Sequence, residues 1–220
     1  MNKKINVHKL VGIAIFSSMA IAVALVCQVI PPIAGFLSLD AKDAVIAIAS
    51  FVYGPLSSVV ISFIAAFIEF LTFSTTGWYG FIMNFASSAI FSLTASLIYN
   101  RWRTLNGALI GFITAVAATT SVMLLLNIFV TPLYMKYIGV PLDRGGVIDM
   151  IPKILLPFNF AKSLMNSALA MLLYKPISMA LRRMRLLPVK MESKFNRSSV
   201  IIIAVGLTSL VAAVVILLVI

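Results

Sequence analysis

Long apolar runs, each closed by a short polar or basic segment, set the pattern of this chain. The first covers residues 10 to about 30 and stops at Pro31-Pro32, long enough to cross a bilayer as a helix. A loop follows to Asp43, and apolar residues then continue from Ala44 to about Phe73, broken at Tyr53-Gly54-Pro55. Gly-Pro is a turn signal, and the piece ahead of it is short for an upright span. Two helices are therefore predicted there, the first tucked against protein. Further spans are predicted over 81–99, over 107–134, and from Pro152 or Pro157 to about 181, with a mixed-charge loop over 135–153 before the last. A basic linker over 186–197 then leads to a uniformly apolar stretch, 198–220. The fold class is an all-α polytopic membrane protein. It has a six-helix membrane domain over 1–185, a cytoplasmic linker over 186–197 and an additional, seventh transmembrane helix over 198–220.

Composition agrees. Of 220 residues 62% are hydrophobic and 10% charged, against about 25% charged in soluble proteins. A formal net charge of +11 would suggest nucleic acid in a soluble chain, but here the basic residues sit in connecting loops, where membrane orientation and anionic headgroups account for them. The N-terminal flank, Arg101 with Arg103, and the run from Arg182 to Arg197 fall on one side. Asp40, Asp43, Asp143 and Asp149 fall on the other. The positive-inside rule predicts a cytoplasmic N-terminus. This count works only if 44–73 is two helices. No cleavable signal is evident after Lys9.

Catalytic motifs are missing. His8 is the single histidine, which leaves no His-based metal cluster or triad, and there is no phosphate-binding loop. The single Cys27 excludes an intramolecular disulfide.

What remains is polarity inside apolar segments. Asn159, Lys162 and Asn166 share one helical face in the last span of the membrane domain. A lysine at mid-bilayer costs roughly 2.5–3.5 kcal/mol on insertion scales, so it is retained where the bundle interior uses it or where it snorkels to the interface. Asp40 and Asp43 before the second helix, Glu69 ending the third, Asn84 opening the fourth and Asn127 late in the fifth complete a ring at the outward ends of the spans. Carboxamides read a planar donor/acceptor edge in both directions and an ammonium donates to carbonyls, so the ring suits a flat polar-edged ligand. Met, Phe, Tyr and Trp78 would supply apolar walls. Taken singly, Asn84 could cap a helix, Asn127 could be interhelical glue and Glu69 could snorkel. Ala14, Ser18 and Ala22 form a small-residue stripe in the first helix, with Ala20 and Ala24 one face over. Such stripes allow close helix approach, and the residues alone favour a partner within the chain.

These residues resemble a known family, the riboflavin-specific S components of energy-coupling factor (ECF) vitamin transporters. The matching stretches are Leu39-Asp40-Ala41-Lys42-Asp43, Tyr53-Gly54-Pro55-Leu56, Gly80-Phe81-Ile82-Met83-Asn84-Phe85, Leu126-Asn127 and Leu156-Pro157-Phe158-Asn159-Phe160-Ala161-Lys162. They occur in order over about 10–185, and Pro-Phe-Asn-x-x-Lys is the most specific. The resemblance implies a six-helix S component of the bacterial cell membrane that binds riboflavin, with FMN as a weaker ligand, from the outer side. It places Asn127, Asn159 and Lys162 on the isoalloxazine edge, with Leu39, Asp43, Glu69, Asn84 and Trp78 as further binding candidates and the loop before the second helix as a lid. It implies no cofactor. ATP hydrolysis would belong to separate ATPase subunits, and the whole subunit would topple against a transmembrane coupling subunit. The Ala14/Ser18/Ala22 stripe would then face that partner, against the internal packing favoured above. Two departures stand out: the seventh helix, and Ala65-Ala66 where the family's third helix carries a polar Lys-Asn pair. Competing readings are an S component for thiamine or pantothenate, a membrane-embedded enzyme using Glu69 or Lys162 as acid/base, and a structural subunit that binds no small ligand.

Overall fold

The computed structural model describes residues 7–183 and 197–220, so nearly all of the expected basic linker over 186–197 lies outside the described residues. The chain is built from α1 (Val7–Cys27), α2 (Lys42–Tyr53), α3 (Pro55–Thr72), α4 (Gly77–Trp102), α5 (Leu105–Tyr137), α6 (Arg144–Met150), α7 (Leu156–Arg183) and α8 (Arg197–Val219), with a π-helical turn (Ile151–Leu155) joining α6 to α7. By length and apolarity α1, α3, α4, α5, the α6–α7 run and α8 can each cross a membrane. At 12 residues, about 18 Å, α2 is shorter than an upright span.

That short helix occupies the middle of the bundle. It packs on α1, α3, α4 and α7, and every residue from Lys42 to Ser50 is buried. Such enclosure is possible because the chain reverses at once: Gly54 takes φ +95°, a conformation that suits glycine, and Pro55 starts α3. Around this centre α1, α3, α4, α5 and α7 are packed in sequence of neighbours, with α4 and α5 closest. Their approach depends on Gly111, where a Cβ would lie 2.7 Å from the Ala95 carbonyl oxygen.

The loop expected across 135–153 is corrected. Asp143 caps α6 by accepting from the Gly146 N–H at 2.9 Å, and helix then runs unbroken into α7. Pro152 and Pro157 are absorbed by the wide turn, in which the Leu156 N–H reaches back five residues to Ile151. On α1, Gly12, Phe16, Ala20 and Ala24 face inward, whereas Ala14, Ser18 and Ala22 are exposed. The internal partner suggested by the residues alone therefore belongs to the Ala20/Ala24 face. α8 lies along α7, with Gly206 against Leu172 and Ala213 fully buried.

An aromatic layer closes the bundle near Arg101 and Arg103. Phe51 of α2 stacks on Tyr99 at 4.3 Å between ring centroids and meets Phe112 at 5.3 Å and Tyr174 at 6.1 Å.

Replacing Gly111 by Val should force α4 and α5 apart and destabilise the protein by about 1–3 kcal/mol. A lowered thermal unfolding midpoint of the detergent-solubilised protein checks this.

Candidate ligand-binding site

At the end of the bundle opposite Arg101, a cavity of about 660 Å³ including its open mouth lies between the loop before α2 and helices α4, α5 and α7. Phe36, Leu37 and Ser38 of the loop form one wall. Thr76, Tyr79, Met83 and Asn84 come from α4 and the residue before it, Met123, Asn127, Thr131 and Tyr134 from α5, and Phe158, Asn159 and Lys162 from α7.

Four of the residues singled out from the sequence therefore share one space: Asn84, Asn127, Asn159 and Lys162. Helical spacing aims them there. Asn127 and Thr131 are one turn apart on α5, and the Thr131 hydroxyl donates to Asn127 Oδ1 at 2.8 Å. Asn127 Nδ2 donates to the Met123 carbonyl at 2.7 Å, and Asn159 Nδ2 donates in the same way to Leu155.

The other four do not line the cavity. Leu39 packs into the apolar cluster of Leu37, Val147, Leu155 and Phe158. Trp78 is 61% exposed and packs tilted against Phe70. Asp43 points into the floor below, where it accepts from the Ser88 hydroxyl. Glu69 is buried behind the wall, accepting from Lys42 Nζ at 2.6 Å and from Asn84 Nδ2 at 2.8 Å. Asn166, on the same face as Lys162, is also structural. Its Oδ1 accepts from the Ala44 N–H at 2.8 Å, capping α2, whose own N-cap residue Ala41 offers no side-chain oxygen. Its Nδ2 donates to the Asp40 carbonyl at 2.9 Å.

Beneath the cavity these contacts join into one ionic cluster. Lys162 Nζ lies 2.8 Å from Asp40 Oδ2, Lys42 Nζ lies 3.4 Å from the same oxygen, and Lys42 pairs with Glu69. Lys42, 1% exposed, thus ties the loop, α3 and, through Asp40, α7. Lys162 also donates to the Ser38 carbonyl at 3.3 Å, which pins the loop wall to α7. In the sequence Lys42 stands only as one member of the stretch Leu39-Asp40-Ala41-Lys42-Asp43. The signal that could have singled it out was its place at the head of an apolar run too short to span. There a charge must be buried with partners.

The sequence pattern of the family described as "ECF transporter, substrate-specific component" matches residues 8–177. The chain belongs to this family. It is 28% identical over 185 residues to the riboflavin transporter RibU of Staphylococcus aureus (strain TCH60), covering 82% of this chain and 97% of that protein. It is 24% identical over 173 residues to the riboflavin transporter FmnP of Bacillus subtilis (strain 168), covering 77% and 91%. Among solved structures, the S component of a bacterial ECF transporter superposes with a TM-score of 0.65 at 28% identity, covering 80% of this chain and 98% of that one. The protein is thus a multi-pass membrane transport component rather than an enzyme. α8 lies beyond the residues matched to the family.

Removing one member of a buried ion pair leaves the other uncompensated, at a cost of about 3–5 kcal/mol. Lys42→Ala should therefore lower the unfolding midpoint in detergent substantially, while Trp78→Ala leaves it within a degree or two.

Proposed function

We propose that this protein is the riboflavin-capturing subunit of an ECF-type importer and that the cavity between the loop, α4, α5 and α7 is its binding site. One observation carries this reading. Asn84, Asn127, Asn159 and Lys162, brought from three helices, converge on one space walled by Phe, Tyr and Met, in a chain similar along nearly its whole membrane domain to two riboflavin transporters. A flavin has a hydrogen-bonding pyrimidine edge on an otherwise apolar ring system, and carboxamides and an ammonium match such an edge. FMN fits as a weaker ligand, because its phosphate adds charge that apolar walls do not reward.

Because Phe36, Leu37 and Ser38 wall the cavity, the loop before α2 has a role. A flat ring enters by parting Phe36, Leu37 and Ser38 from α7, so the loop is the lid. Orientation follows the basic flanks: a cytoplasmic N-terminus puts the Arg101–Arg103 end inside and the cavity mouth outside. The exposed Ala14/Ser18/Ala22 face of α1 then suits close docking of the transmembrane coupling subunit, which works with separate ATPase subunits.

Titration of the detergent-purified protein with riboflavin should quench flavin fluorescence at micromolar protein, and excess thiamine or pantothenate should leave the quenching unchanged. Fluorescence that stays unquenched overturns the reading. Lys162→Ala and Asn159→Ala should each weaken binding by about 1–3 kcal/mol, and unchanged affinity in both moves the site elsewhere. Ala14→Leu with Ala22→Leu should abolish riboflavin uptake by cells while leaving flavin quenching intact. Uptake that survives removes α1 from the coupling contact.

A further inference from the structure

Asn84 lines the cavity, yet one of its two polar atoms is already engaged behind the wall. Its Nδ2 donates to Glu69 Oε1 at 2.8 Å, and among the described residues its Oδ1 has no protein partner. An amide can turn over at little cost unless its neighbour prefers one end. Here the neighbour does. As the anionic partner of Lys42, with Nζ 2.6 Å from Oε2, Glu69 offers only acceptors, so the amide must meet it with the NH₂ group. Lys42 itself is held from two sides, by Glu69 on α3 and by Asp40 at the loop end, and is 1% exposed. Lys42 is therefore shut off from solvent and stays with its two carboxylates.

We propose that Glu69, held by Lys42, is a positioning residue that fixes the Asn84 amide with its oxygen toward the cavity, so that this corner of the site accepts a hydrogen from the ligand. The same Lys42 steadies Asp40, which holds Lys162 of α7 at 2.8 Å. One buried ammonium thus sets an acceptor on α4 and a donor on α7, both lining the same cavity. A ligand with a donor beside an acceptor along one edge, such as a cyclic imide, meets both, whereas a ligand presenting only acceptors loses the Asn84 contact. Glu69 touches no ligand in this account. Its influence passes entirely through Asn84.

That dependence gives the test, which rests on the riboflavin reading above. Glu69→Gln keeps the shape and a hydrogen bond to Lys42 but turns an NH₂ toward Asn84, so the amide must flip. Riboflavin quenching titrations of wild type, Glu69→Gln, Asn84→Ala and the double variant form a cycle. One lost hydrogen bond corresponds to about a tenfold loss of affinity. Each single variant should show about that loss, and the double variant should bind no worse than Asn84→Ala alone. An unchanged affinity in Glu69→Gln, or losses that multiply in the double variant, overturns the proposal, because a merely structural Glu69 would weaken binding whether or not Asn84 is present. A second measurement needs no ligand. The Asn84 side-chain amide resonances, assigned by their absence in Asn84→Ala, should move in Glu69→Gln and in Lys42→Met, and unmoved resonances overturn the proposal. Should wild type fail to quench riboflavin, the riboflavin reading falls while this second measurement still decides the orientation of Asn84.

Discussion

A charge in hydrocarbon has no solvent in reserve, and this bundle places Asp40, Lys42, Asp43, Glu69 and Lys162 together in its interior. They are tolerable only as a closed set. Lys42 meets two carboxylates, Lys162 meets one carboxylate and a backbone carbonyl, and Asp43 takes a hydroxyl from Ser88. Much of the architecture serves that closure. α2 is short so that its charged N-terminus stops inside the protein, Gly54 reverses the chain so that α3 can bring Glu69 back to Lys42, and Asn166 caps α2 from α7. Buried polar clusters of this kind are often poor sources of stability compared with apolar packing, and one that is retained in full is better understood through what it holds in place.

What it holds is the wall of the cavity. Lys162, Asn84 and, through its carbonyl, Ser38 are cavity residues tied directly to the cluster, whereas Asn127 and Asn159 are steadied through backbone carbonyls four residues back. The site thus combines local and long-range support. Groups anchored within one helix keep their place when helices shift, and groups anchored between helices report on the arrangement of the bundle.

The helix order is legible in the sequence because most of the helices are apolar runs with a hard stop: Pro31-Pro32, Gly54-Pro55, Arg101 to Arg103. It also exposed Asn84, Asn127, Asn159 and Lys162, since a polar residue in an apolar run stands out whatever its partners. Partnership was not legible. Glu69 and Asp43 carry the same signal as Asn127, yet one backs the wall and the other the floor, a difference fixed by contacts between residues far apart in the chain. The helical continuation through 144–155 was hidden because two prolines and a Gly-Gly pair read locally as a loop, while the Asp143 cap and the π turn that absorb them depend on backbone geometry. The small residues of α1 could not be sorted by spacing alone, since both stripes satisfy the same rule. Only the placement of α2 and α3 against Phe16 and Ala20 decides which side is covered.

Filling the axis of the bundle with α2 has a further consequence. Below the ions, Phe51, Phe112, Tyr99 and Tyr174 pack ring to ring, and the Tyr99 and Tyr174 hydroxyls come within 3.4 Å of each other. The hollow above is a cup and not a tube. On the proposed reading, whatever rests in it departs past the rim by which it arrived.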